Sequence, residues 1–217
     1  MRDRPTLLTC LAICYLGLLA YGASLHHPLV WDDEVTVLNN ADIRDVRNLP
    51  VIFASGYHAG AGELTNLYRP LATCSFLIDY LIWGLNPLGF HLTNLLLHLL
   101  NSGLVFFLLR LAFPNRPLLN LVPSLLFAVH PLHSETVNYV SCRTELLTTA
   151  FALTSGLWYL SHRRQGGRWR LAVSLAAFVG SLLSKEMGVI LPLMLLLYER
   201  FVAPQRRTAA ILPYLVV

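Results

Sequence analysis

An all-α polytopic membrane protein, about six spanning helices plus the start of a seventh, is predicted by three observations. The 217 residues are 55% hydrophobic and only 13% charged, with a mean hydropathy of +0.56, where soluble domains carry about 25% charge. Long apolar runs recur along the chain. The basic residues sit in short polar stretches between those runs, which is how helices are oriented in a bilayer. The net charge of +4 and the pI near 9.0 therefore report topology. They do not report a nucleic-acid partner, because no basic patch with interleaved aromatics occurs. Cys10, Cys14, Cys74 and Cys142 show neither a disulfide framework nor metal-type spacing.

The first apolar run, 6–25, follows Arg2 and Arg4. Its core of about 20 residues exceeds the h-region of a cleaved signal, so it is read as a retained helix with a cytoplasmic N-terminus. A non-cytoplasmic loop over 25–67 comes next. The run 71–83 is too short to span, contains Asp79 and lies between Arg69-Pro70 and Asn86-Pro87; it predicts an interfacial helix over 68–84. Further runs at 90–113, 117–132, 144–160, 171–184 and 187–202 predict five more spans, and another begins near 208. The chain is thus expected to be one transmembrane domain over 1–217, incomplete at its C-terminus. If 71–83 does not span, the inner side collects Arg2, Arg4, Arg110, Arg116, Arg163, Arg164, Arg168, Arg170, Arg200, Arg206 and Arg207, eleven of the sixteen Lys and Arg. The outer side then holds ten of the twelve Asp and Glu, all but Asp3 and Glu199. The acidic chemistry is predicted to lie on the non-cytoplasmic face.

Four stretches place polar groups there. Trp31-Asp32-Asp33-Glu34 opens the outer loop, and its simplest reading is a solvated acidic turn. In Tyr68-Arg69-Pro70-Leu71 the proline starts the interfacial helix, with Arg69 placed to meet an anionic group or a lipid phosphate. His91, Asn94, His98 and Asn101 fall within an arc of about 80° at helical spacing, a polar stripe on an apolar helix. Such a stripe faces the bundle interior, whether it binds substrate or only joins helices. The densest stretch is His130-Pro131-Leu132-His133-Ser134-Glu135, followed by Arg143 and Glu145. There Glu135, Asn138, Cys142 and Glu145 are expected on one helix face, and Arg143 can pair with Glu145 or bind phosphate. His130, His133 and Glu135 could ligate a divalent metal, but Pro131 breaks the helical pairing that zinc hydrolases use. Ser184-Lys185-Glu186 adds a last cation, unless Lys185 only snorkels to the interface.

The ordered stretches WDD, YRPL, NPLGFHLTNLLLH, FAVHPLHSETVNYVSCRTELL and SKEMGVILPLMLLLYE resemble the membrane domain of the TMTC family of O-mannosyltransferases. More broadly they resemble the GT-C glycosyltransferases. The resemblance covers about 31–201 and lacks the tetratricopeptide repeats of that family. It implies a GT-C-type helical bundle and a polyprenyl-phosphate-linked sugar donor, dolichyl phosphate mannose in eukaryotic members. It also implies transfer of a mannose-like sugar on the lumenal side of the endoplasmic reticulum or the periplasmic side of a prokaryotic membrane, to a protein or glycolipid acceptor. The family's acidic pair falls on Asp32 and Asp33 as catalytic residues. Its donor-phosphate and substrate positions fall on Tyr68, Arg69, His91, Asn94, His130, His133, Glu135, Arg143, Glu145, Lys185 and Glu186.

The residue types suit that chemistry. Displacing a phosphate from a sugar needs a base for the acceptor hydroxyl, here Asp32 or Asp33, and cations for the leaving phosphate, here Arg69, Arg143 and Lys185. No cofactor is required, and a metal is a competing reading only. Two other classes stay open: a transporter or flippase, with its polar site near the midplane, and a metallohydrolase using His130, His133 and Glu135.

Overall fold

The computed structural model describes residues 4–203 and 208–216. Arg2, Asp3, Arg206 and Arg207, which entered the charge argument, lie outside the described residues. The described chain is helical, with no strand. Helix α1 (Arg4–Tyr21) runs into a 3-10 turn at Gly22–His26; the short α2 (Leu49–Ala54) lies in the following loop. Next come α3 (Pro70–Trp83), α4 (Pro87–Ala112), α5 (Pro117–Val129) and the short α6 (His133–Asn138). Helices α7 (Arg143–Gln165), α8 (Arg168–Ser184) and α9 (Leu191–Phe201) complete the order, followed by a 3-10 segment at Thr208–Leu215.

Local chemistry sets several boundaries. Gly84, at φ 61, ends α3 in a backbone region that costs a side chain energy. Asn86 then caps α4 by accepting the Leu88 N–H, with Pro87 in the first turn. Gly166 and Gly167, at φ 68 and 91, make the tight reversal between α7 and α8. Proline opens α3, α4, α5 and α9 within their first two residues, where a missing N–H costs nothing.

The longer helices alternate in direction. Arg110 near the end of α4 reaches Thr6 at the start of α1, while the Tyr21 hydroxyl at the end of α1 donates to the His130 carbonyl just past α5, at 2.6 Å. Asn101 donates to the Leu146 carbonyl at 3.0 Å, so α4 and α7 run parallel on either side of this reversal. Ser155 on α7 donates to the Ser174 carbonyl on α8 at 2.7 Å, and Tyr159 on α7 to Glu199 on α9 at 2.8 Å. One end of the bundle therefore gathers the loop 28–69 and residues 130–145 and 184–190; the other holds Arg110, Arg116, Arg163, Arg164, Arg168, Arg170 and Arg200.

Among the described residues two helical stretches are long and apolar enough to cross a membrane: Arg4–His26, with 23 residues, and α4, with 26. Helix α7 is as long, at 23 residues, but includes Arg143, Glu145, Arg163 and Arg164. Helices α5, α8 and α9 have 13, 17 and 11 residues. The run 117–132 falls short because the chain turns at His130, and 187–202 because a 3-10 turn at Glu186–Ile190 uses its first residues. Broad outward apolar faces, such as Leu7, Leu8, Leu11 and Leu19 on α1, exceed what a water-soluble surface carries and mark a helical membrane protein.

The polar stripe of α4 faces inward as predicted: His91, Asn94, His98 and Asn101 are all buried. The outer loop is more ordered than a solvated acidic turn. Val37, Ile43, Ile52 and Tyr57 pack with Ala72, Phe76 and Leu77 of α3 and with Phe90 and Val140, so the loop forms a small apolar core that clamps α3 across the bundle end. Asp79, on the buried face of α3, accepts from Thr93 at 2.8 Å and pairs with Arg143 at 2.5 Å. The direction of the chain is open to a direct test. With the four native cysteines replaced, single cysteines at Glu63 and Gln165, both exposed, are expected to react with a membrane-impermeant maleimide from opposite sides. Labelling from the same side overturns the topology.

Candidate functional site

The site is built where the loop after α1 meets the start of α7. Val30 to Thr36 form a tight turn: Asp33 N–H donates to the Val30 carbonyl at 3.0 Å, Glu34 N–H to that of Trp31 at 2.9 Å, and Thr36 N–H to that of Asp32 at 2.8 Å. Asp33 is fully buried. Its Oδ1 accepts from the Ser141 N–H at 2.7 Å and the Ser141 hydroxyl at 2.6 Å, and its Oδ2 from the Val30 N–H at 3.1 Å. Three donors on one carboxylate satisfy most of its lone pairs and pin the turn to residues 139–141. Asp32, next in sequence, points the other way and is exposed. Its N–H donates to the Tyr139 hydroxyl at 2.8 Å.

Asp32 lines a cavity of about 230 Å³ with Arg69, Tyr139, Glu145, Lys185 and His58. These residues come from the first loop, the start of α3, the α6–α7 junction and the end of α8. Two ion pairs occupy its walls. Arg69 grips Glu186 with both nitrogens, Nη2 to Oε1 at 2.8 Å and Nε to Oε2 at 3.2 Å, and those bonds hold the Glu186 carboxyl below its usual range. Lys185 Nζ lies 2.5 Å from Glu145, whose second oxygen accepts from Thr144 at 2.6 Å. Burial pushes the Tyr139 hydroxyl up to about 12 and, helped by the Glu145 charge, the Cys142 thiol also to about 12. Both stay protonated near neutral pH, so they can act as hydrogen-bonding groups and not as anions. Arg69 and Lys185, near the N-terminal end of α7, are the cations that an oxyanion entering this cavity would meet once Glu186 and Glu145 release them.

A second cavity, about 390 Å³, lies on the other side of Tyr139 and is lined by His27, Trp31, Glu135, Asn138 and Tyr139, among others. The split corrects the expected single helix face. Tyr139 adopts an extended backbone, φ −102 and ψ 115, between α6 and the 3-10 turn Val140–Cys142. Glu135 and Asn138 therefore face one cavity, while Cys142 and Glu145 face the other.

The remaining expected residues lie away from this first cavity. Arg143 is fully buried: Nε donates to Asn94 at 2.8 Å, Nη2 to the Phe90 carbonyl at 2.8 Å and Nη1 to that of Ser75 at 3.3 Å, beside the Asp79 ion pair. Its plane lies over the Phe76 ring, 4.6 Å from the centroid. Its guanidinium is committed inward, to Asp79 and not to Glu145, which corrects both uses expected of it. Asn94 also donates to the Tyr139 carbonyl at 3.1 Å. His91 is buried edge-on to His27, with ring centroids 6.2 Å apart. The Tyr68 hydroxyl donates to the Phe53 carbonyl at 2.9 Å and ties α2 to the start of α3. His133 packs between Phe127 and His98, with His130 beside it. Among the described residues no three His, Cys, Asp or Glu side chains are grouped so as to hold a metal ion.

Tyr139, Ser141 and His58 were not singled out in the sequence. Tyr139 and Ser141 lie inside the stretch FAVHPLHSETVNYVSCRTELL, where the charged residues drew the roles; His58 had no signal.

The fold and site together define a helical membrane protein with a charged cavity, walled by two ion pairs, at one end of its bundle. The chain is 31% identical over 192 residues, 84% of its length, to human Protein O-mannosyl-transferase TMTC3. It is 33% identical over 93% of its length to Drosophila melanogaster Protein O-mannosyl-transferase Tmtc3 and 33% identical over 86% to Xenopus laevis Protein O-mannosyl-transferase tmtc2. The chain is TMTC-like, homologous over most of its length to protein O-mannosyl-transferases. It spans 20%, 25% and 23% of the lengths of those three relatives. No family model and no solved structure matches it.

Proposed function

We propose that this chain forms the catalytic end of a GT-C-type membrane glycosyltransferase, a bundle of about six spans. In this reading it moves a mannose-like sugar from a polyprenyl-phosphate donor to an acceptor hydroxyl on the lumenal or periplasmic face. The observation that carries this reading is the convergence of Asp32, Arg69 and Lys185 on one cavity from positions far apart in the chain. The names of the relatives support the reaction class. The cavity opens at the bundle end, where a lipid carrier keeps its phosphate.

In the proposed step the donor phosphate takes over Arg69 and Lys185 from Glu186 and Glu145. Asp32 accepts the proton of the acceptor hydroxyl as its oxygen bonds to the anomeric carbon. The anomeric carbon–oxygen bond breaks, and its electron pair leaves on the lipid phosphate, held by the two cations. The proton stays on Asp32 until released to water. Attack in line with the departing phosphate inverts the anomeric centre. Asp33 serves as a positioning residue, since its carboxylate is spent on Ser141 and Val30. With two cations to stabilise the charge that grows on the departing phosphate, the step as drawn requires no metal.

The test is mass spectrometry of glycopeptides and glycolipids from cells with and without the intact gene. A set of hexose-bearing peptides or lipids is expected to disappear with the gene and to return with the wild-type copy. Identical profiles in both cell types overturn the reading.

A further inference from the structure

The second cavity has a different chemical character from the first. No Lys or Arg lines it; its one formal charge is the exposed Glu135 carboxylate, set among His27, Asn138, Ser134 and two aromatic rings. A phosphate would find no Lys or Arg to hold it there. At about 390 Å³ it lies within the range of ligand cavities. Its most prominent wall is Trp31, 79% exposed and at φ 52. A left-handed backbone at a tryptophan costs energy, and the exposed ring regains little of that through packing. It touches Tyr139 edge-on, ring centroids 5.8 Å apart, and the buried Asp33 carboxylate closes the turn that presents it.

Position adds to this. Tyr139 is shared by both cavities, and its hydroxyl receives the Asp32 N–H at 2.8 Å. A group seated on Trp31 can therefore extend a hydroxyl past Tyr139 to Asp32, while a phosphate occupies Arg69 and Lys185 on the far side.

We infer that the second cavity is the acceptor site, that it seats a hydroxyl-bearing peptide segment of neutral or basic character, and that Trp31 is its platform and Glu135 its electrostatic selector. Large flat aromatics supply contact area at little entropic cost, and a lone carboxylate favours cationic flanking residues over acidic ones. This rests on the transferase reading. It goes beyond it by assigning acceptor and donor to separate cavities.

The experiment measures transfer by the intact membrane protein from a polyprenyl-phosphate mannose to serine-containing peptides with lysine, alanine or glutamate flanks. Donor hydrolysis without peptide is followed in parallel. Trp31→Ala is expected to raise the peptide KM about tenfold or more while donor KM and hydrolysis change less than about twofold. Glu135→Gln, a milder change at an exposed position, is expected to abolish the preference for lysine-flanked over glutamate-flanked peptides. An unchanged peptide KM in Trp31→Ala, or a donor KM that rises in its place, overturns the assignment. Should Trp31→Ala fail to accumulate, an undiminished flank preference in Glu135→Gln overturns it equally. A wild-type protein that transfers to no peptide overturns this inference; the transferase reading falls with it only if glycolipid profiles, too, are identical with and without the gene. Normal wild-type transfer with an unaffected Trp31→Ala removes only the inference.

Discussion

Asp32→Asn is expected to lower sugar transfer at least about a hundredfold, the usual contribution of a positioned general base, while leaving thermal stability in detergent unchanged. The turn is held through the Asp32 backbone and the Asp33 carboxylate, and among the described residues the exposed Asp32 carboxylate interacts only with the Tyr139 hydroxyl, which the Asp32 N–H already engages. Asparagine keeps the shape and the N–H to Tyr139 but cannot take a proton at neutral pH. Asp33→Asn is the control. It places an amide N–H among the Ser141 and Val30 donors, so a buried donor faces donors at a cost of about 1–3 kcal/mol. This variant should show a lowered Tm together with reduced transfer. If Asp32→Asn transfers sugar at the wild-type rate, Asp32 is not the base; if only Asp33→Asn loses transfer and its Tm is unchanged, the two roles are exchanged.

The two aspartates show where sequence reading reached its limit. Adjacent residues in one motif carry equal weight in a sequence, and what separates them is Ser141, more than a hundred positions away. The stripe on α4 was legible because His91, Asn94, His98 and Asn101 repeat at helical spacing, and that spacing alone brings them to one face. Arg69 and Lys185 were legible as cations beside prolines or helix ends, but their partners were not. Glu186 lies 117 positions from Arg69, and Glu145 lies 40 from Lys185. Two signals were present and misweighed. Residues two apart on a helix point away from each other, which argued against pairing Arg143 with Glu145. Asp79 was read as a reason that α3 cannot span, when a lone carboxylate on an apolar helix also calls for a buried cation. The helix break at Tyr139 left almost no mark in composition, yet it divides the site into two cavities.

Arg143→Met is expected to be the most destabilising single change, by about 3–5 kcal/mol, the usual loss when one partner of a buried ion pair is removed. The Asp79 carboxylate would remain buried without its counter-charge, and the Asn94 side chain and the Phe90 and Ser75 carbonyls would lose donors. The double variant Arg143→Met with Asp79→Leu removes both charges and should recover a large part of that loss, because much of the penalty belongs to the stranded carboxylate. Thermal unfolding in detergent, followed for both single variants and the double, measures the coupling. A single variant as stable as the wild type, or a double with the summed losses of the two singles, contradicts the pairing. The double variant also decides what Arg143 does in the reaction. If its part is to hold α3 and residues 139–140 in place, transfer should return along with stability and the donor KM should stay near its wild-type value. A stable double variant with a strongly raised donor KM would instead mean that Arg143 turns outward to the phosphate when donor binds, breaking the Asp79 pair to do so.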